Sequence, residues 1–89
     1  MNVRTLASAG TLESSDAYVE VLPSDGGVTV EVESIVKRQF GAAIEASVRE
    51  VAAALDVASC EIRIHDRGAL DCVIRARVET AIRRAGGDE

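Results

Sequence analysis

The apolar residues change their spacing along the chain, and those changes limit the fold more than any other feature of the sequence. In "VTVEVES", Val28, Val30 and Val32 alternate with Thr29, Glu31 and Glu33, the period of a strand with one buried face. From Ser34 the step lengthens: Val36, Phe40, Ile44, Val48, Val51 and Leu55 recur every three or four residues, one face of a helix. "SCEIRIHD" returns to alternation, with Cys60, Ile62 and Ile64 on one side and Glu61, Arg63 and His65 on the other. After Arg67 and Gly68 a second helical stripe runs through Leu70, Ile74, Val78, Ala81 and Ala85, and Gly86 and Gly87 end it.

Two more strands precede these. "AYVEVLP" offers Ala17, Val19 and Val21 as a buried face, and the turn residues Pro23, Ser24, Asp25, Gly26 and Gly27 predict a hairpin with the valine strand. "SAGTLE" reads as another strand with Leu12 inward, so that Ser14, Ser15 and Asp16 make a tight surface turn. Ser34 is positioned to cap the first helix. Gly41 costs that helix about 1 kcal/mol relative to alanine unless it serves a close approach to the sheet. Asp71 and the pair Arg83 and Arg84 complement the dipole of the second helix. The predicted fold is α+β: a two-layer sandwich in the order β-β-β-α-β-α, with a small, mostly antiparallel sheet and two helices on one face. The other face, with Glu20, Glu31, Arg63 and His65, is left to solvent or a partner. At 89 residues the chain is expected to be one domain, 1–89, too small for a deep, walled active site.

Charge and composition remove several function classes. A net charge of −5, with Tyr18 and Phe40 the only aromatics, is wrong for gripping nucleic acid. The longest apolar run, residues 51–55, is far too short to span a membrane, and the first residues lack a signal-peptide core. A soluble, cytoplasmic protein is expected. Cys60 and Cys72 lack the spacing of a metal site; the first reads as core, the second as a surface thiol, and neither receives a role. His65, Asp66 and Ser14 are the residue types of a triad but lie on separate turns and a strand, with no nucleophile elbow or phosphate loop. No catalytic residue is assigned. The arginines of the second helix leave two readings open. They form a solvated face of i,i+4 pairs (Asp71 with Arg75, Glu79 with Arg83), or Arg77 and Arg84, two turns apart, dock a partner or clamp a phosphate.

"GTLESSDAY" raises a similar choice between an ordinary turn and a place of attachment. Residues 9–16, "AGTLESSD", followed much later by residues 66–85, "DRGALDCVIRARVETAIRRA", resemble the acyl carrier protein of citrate lyase, its gamma subunit. The resemblance covers essentially the whole chain. It implies that the serine directly after "GTLE", here Ser14, carries covalently attached 2′-(5″-phosphoribosyl)-3′-dephospho-CoA through a phosphodiester. Ser15 is the neighbouring hydroxyl, and family members can have glycine there. It further implies an alpha subunit that exchanges acetyl for citrate on the arm, and a beta subunit that cleaves the product to oxaloacetate and regenerates the acetyl thioester. A separate transferase and an acetylating ligase would prepare the arm, and the chain itself would be no enzyme. Glu13 and Asp16 would then hold the anionic arm off the carrier surface by repulsion. A malonate decarboxylase-type carrier is the nearest rival, and a non-covalent interaction module is the rival of a different class.

Overall fold

Alternating Val, Ile and Ala side chains cannot stay exposed, and amphipathic helices are what covers them here. The computed structural model describes residues 1–87. Its elements are β1 (Ala7–Gly10), β2 (Ala17–Leu22), β3 (Val28–Ser34), α1 (Lys37–Ala54), β4 (Cys60–Asp66) and α2 (Asp71–Ala85), in the expected order. The strands form a four-stranded sheet. Helix α1 packs on β3 and on α2, and α2 packs on β1 and β2, giving the α+β sandwich.

The hairpin expected between β2 and β3 does not form. The sheet order is β1-β2-β4-β3, so β4 lies between them. It runs antiparallel to β2, with Val19 opposite Ile64 and Val21 opposite Ile62, and parallel to β3, with Val30 opposite Ile62 and Val32 opposite Ile64. The sheet is therefore mixed, with β1–β2 and β2–β4 antiparallel and only β3–β4 parallel. Two causes favour this order. A strand, an 18-residue helix and a strand form a crossover unit, which brings the two strands together in parallel. The central position also places valines on both sides of the fully buried Ile62 and Ile64. The turn residues still turn the chain, but across the start of β4. Ser59 Oγ donates to the Ser24 carbonyl, and the Cys60 N–H donates to the Gly27 carbonyl at 3.2 Å.

Val19, Val21, Val48, Cys60, Ile62, Val78, Ala81 and Ile82 are fully buried between the layers. Each buried Val or Ile contributes about 1.5–3 kcal/mol relative to exposure. The predicted helix faces fail mainly at their N-terminal ends: Phe40 is 53% exposed and Leu70 71% exposed. Leu12, expected inward, is 56% exposed because β1 already ends at Gly10. Ser34 lies two residues before the start-cap position of α1, which Val36 occupies; its hydroxyl accepts the Val36 N–H at 3.0 Å. Nor does Gly41 serve a close approach to the sheet, since a β-carbon there would first meet Lys37 of its own helix. Among the described residues, no helix is long and apolar enough to cross a membrane.

Candidate functional site

The register brings three connections to one end of the molecule. Ala17 and Ser34 both pair with Asp66, so the β1–β2 loop, the β3–α1 turn and the β4–α2 turn lie side by side. Both helices begin at this end. Ser14 sits in the β1–β2 loop, residues 11–16, with its side chain exposed.

The loop is braced from within and from both neighbours. Gly10 leaves the strand at φ +93°, and a β-carbon there would overlap the Ala17 carbonyl oxygen at 1.8 Å. The Thr11 hydroxyl donates to Asp16 Oδ2 at 2.7 Å and accepts the Glu13 N–H at 3.2 Å. Asp16 Oδ1 accepts the Ala17 N–H at 2.7 Å. From α2, Arg77 donates to both carboxylate oxygens, Nε to Oδ1 at 3.1 Å and Nη2 to Oδ2 at 3.2 Å. The Ser15 N–H donates to the Arg67 carbonyl at 2.8 Å, and the Arg67 N–H returns a bond to the Asp16 carbonyl at 2.9 Å. The Thr11 hydroxyl, then the Ala17 N–H, then Arg77 lower the Asp16 carboxyl to about 2. Ser14 is thus displayed by a pinned loop. Asp16, expected to repel an arm, instead has its charge matched by Arg77, leaving Glu13 as the exposed acid beside the serine.

The other sequence candidates are dispersed. Arg84 projects from the same side of α2 as Arg77, and its Nη1 donates to the Ser8 carbonyl of β1 at 3.0 Å. His65 lies on the helix-free face of the sheet, its Nδ1 3.5 Å from Glu33 and its ring 6.1 Å from that of Tyr18. Asp66 is 1% exposed and points the other way, holding the Ser34 hydroxyl and the N–H groups of Gly68 and Ala69. His65, Asp66 and Ser14 therefore do not assemble a triad. Cys60 is buried, which pushes its thiol up, and Cys72 is exposed. No metal-binding cluster occurs among the described residues. What sequence reasoning missed is the brace. Thr11 and Asp16 had a local signal in their turn chemistry, whereas Arg77, 61 residues away, had none.

Comparison with known proteins identifies a family. The family described as "ACP: Malonate decarboxylase delta subunit (MdcD)" matches residues 4–85. The citrate lyase acyl carrier protein of Haemophilus influenzae (strain PittEE) is 51% identical over 85 residues, covering 96% of this chain and 88% of that one. That of Klebsiella pneumoniae is 51% identical over 86 residues, covering 96% and 89%. Among solved structures, a chain from a Pseudomonas malonate decarboxylase hetero-tetramer in complex with malonate superposes with a TM-score of 0.82 at 25% identity. That match covers 94% of this chain and 87% of the other. The chain belongs to this family of acyl carrier proteins.

Proposed function

We propose that this chain is the acyl carrier subunit of a citrate lyase, a single carrier domain modified at Ser14. The attached group would be 2′-(5″-phosphoribosyl)-3′-dephospho-CoA, joined to the serine through a phosphodiester. The observation that supports this best is the exposed Ser14 side chain at the crest of a loop tied down on both sides. Ser15 is the anchoring residue of the pair: its backbone is held at φ 66° and its N–H is committed to Arg67.

The residues present fit such a group. Ser14 needs no neighbouring base, because a separate transferase would activate the incoming group. Arg77 removes one of the two negative charges that would face a phosphodiester. When bound, the group supplies a thiol that holds acyl units as thioesters, and tethering raises their effective concentration at each partner site. The chain's own part is to hold the attachment point steady and accessible to the alpha and beta subunits and to the acetylating ligase. The 51% identity to citrate lyase carriers favours that complex. The decarboxylase-type carrier is the second reading, favoured by the family match and by the hetero-tetramer's fold.

Intact mass, recorded with and without the citrate lyase accessory enzymes, tests the proposal. A mass gain equal to the phosphoribosyl-dephospho-CoA group, localised by fragmentation to Ser14 and absent from Ser14→Ala, is expected. A gain on Ser15 would move the site. No gain, with enzymes that modify a known carrier, would leave a non-covalent interaction module.

A further inference from the structure

The serine end of the molecule also holds an apolar groove of about 380 Å³ between the starts of the two helices. Val36, Phe40, Ile44, Ala69, Leu70 and Ile74 form most of its walls. A volume of that size falls in the range of small-molecule sites. Phe40 and Leu70, which the helical stripes had marked for the core, instead stand on its rim, and exposed Ile35 lies against Gly68 beside it. The groove is close to the attachment loop. Ser15 is hydrogen-bonded to Arg67, and the residues that follow, Gly68 and Ala69, are groove wall.

Charge narrows the choice of occupant. Two carboxylates line the groove, Asp66 and Asp71, and both are engaged. Asp66 is held by Ser34 and two backbone N–H groups, and Asp71 by Ser47 and Arg75. Neither is left to recruit a cation, and no cationic side chain lines the groove to draw an anion. A neutral, largely apolar ligand fits best, because an unpaired charge would be desolvated there without compensation.

We infer that this groove receives the neutral outer part of the arm tethered at Ser14, so that the carrier shelters its own thiol end between visits to partner enzymes. The inference rests on the carrier reading above. The reduced repulsion supports it, since the Asp16 charge is paired with Arg77 and Glu13 is left as the exposed acid beside the serine. Because the ligand is tethered next to the site, even weak contacts suffice to hold it much of the time.

The test uses the full chain in unmodified and modified forms, after intact mass has established modification. Methyl NMR resonances of Ile44, Leu70 and Ile74 are expected to shift on modification and to show contacts with arm protons. The arm thiol is expected to react with iodoacetamide at least about threefold more slowly in the parent protein than in Phe40→Ser/Leu70→Ser. Both positions are more than half exposed, so the fold should tolerate the change; Ile35→Ser serves as a second rim variant. Shifts confined to residues 11–16, with unchanged alkylation rates, would overturn the inference while leaving the carrier reading intact. Groove shifts that arise only when a larger subunit is added would also overturn it, making the groove a protein-docking site. Failure to modify either Ser14 or Ser15 would remove the carrier reading, and this inference with it.

Discussion

Asp16 stays charged far into the acid range because the folded loop hands it a hydroxyl, a backbone N–H and an arginine fork. Its folded value of about 2 lies below the ordinary 3.8, so on acidification the unfolded chain takes up the proton first. The stabilisation is complete above about pH 4 and is lost as pH falls towards 2. In Asp16→Asn the melting temperature, followed by circular dichroism, should therefore fall less between pH 4 and 2 than in the parent. Some fall should persist, because Ser47 and Arg75 also lower the Asp71 carboxyl. An unchanged acid profile would mean that the brace contributes nothing. The sequence made the exposed turn around Ser14 legible through its turn residues, and the exposed thiol of Cys72 through its place off the helical stripe. It did not reveal that Asp16 belongs to Arg77, because a contact between distant segments leaves no local period or turn signature.

At the scale of elements, the exit from β1 decides whether the serine loop can form. Gly10 adopts a backbone conformation that L side chains resist, and a β-carbon would collide with the Ala17 carbonyl rather than with a side chain able to move. Gly10→Ala should lose more than about 2 kcal/mol in urea unfolding, from backbone strain together with the displaced β1–β2 pairing. It should also slow modification of Ser14; full stability would show that the loop has another acceptable path. Both helices and strands β2, β3 and β4 were legible, since two-residue and three-to-four-residue spacings report directly on which side faces the core; the first strand was expected with Leu12 inward and ends instead at Gly10. Strand order was less so. The stretch "PSDGG" encodes a change of direction, and its five residues suffice equally for a hairpin or for stepping over one strand. The stronger signal was the helix between β3 and β4, which calls for a parallel neighbour. The exposed positions of Phe40 and Leu70 were hidden for a related reason: a stripe gives a direction, and does not say where the opposing layer stops.

For the whole molecule, an acidic carrier that works within a multi-subunit complex needs a local feature to orient it, and the arginine edge of α2 beside the serine loop is our proposal for that feature. Its two arginines should act by different routes. Arg84 is exposed and reaches the Ser8 carbonyl on edge strand β1, which places it where a partner on that flank would touch it. Arg84→Glu is expected to weaken binding to the larger citrate lyase subunits about tenfold at low salt, roughly 1.4 kcal/mol. The deficit should shrink as salt screens the interaction, while melting temperature and Ser14 modification stay near parental values. Arg77 acts first on its own loop. Lysine there keeps the charge but loses the two-point grip on Asp16, so Arg77→Lys should slow modification of Ser14 while leaving subunit binding largely intact. Affinity measurements on both variants, paired with intact-mass time courses, separate the two roles. Parental affinity in Arg84→Glu would move the docking surface elsewhere. Lost affinity with normal modification in Arg77→Lys would make the fork itself part of the interface, and its hold on the loop incidental.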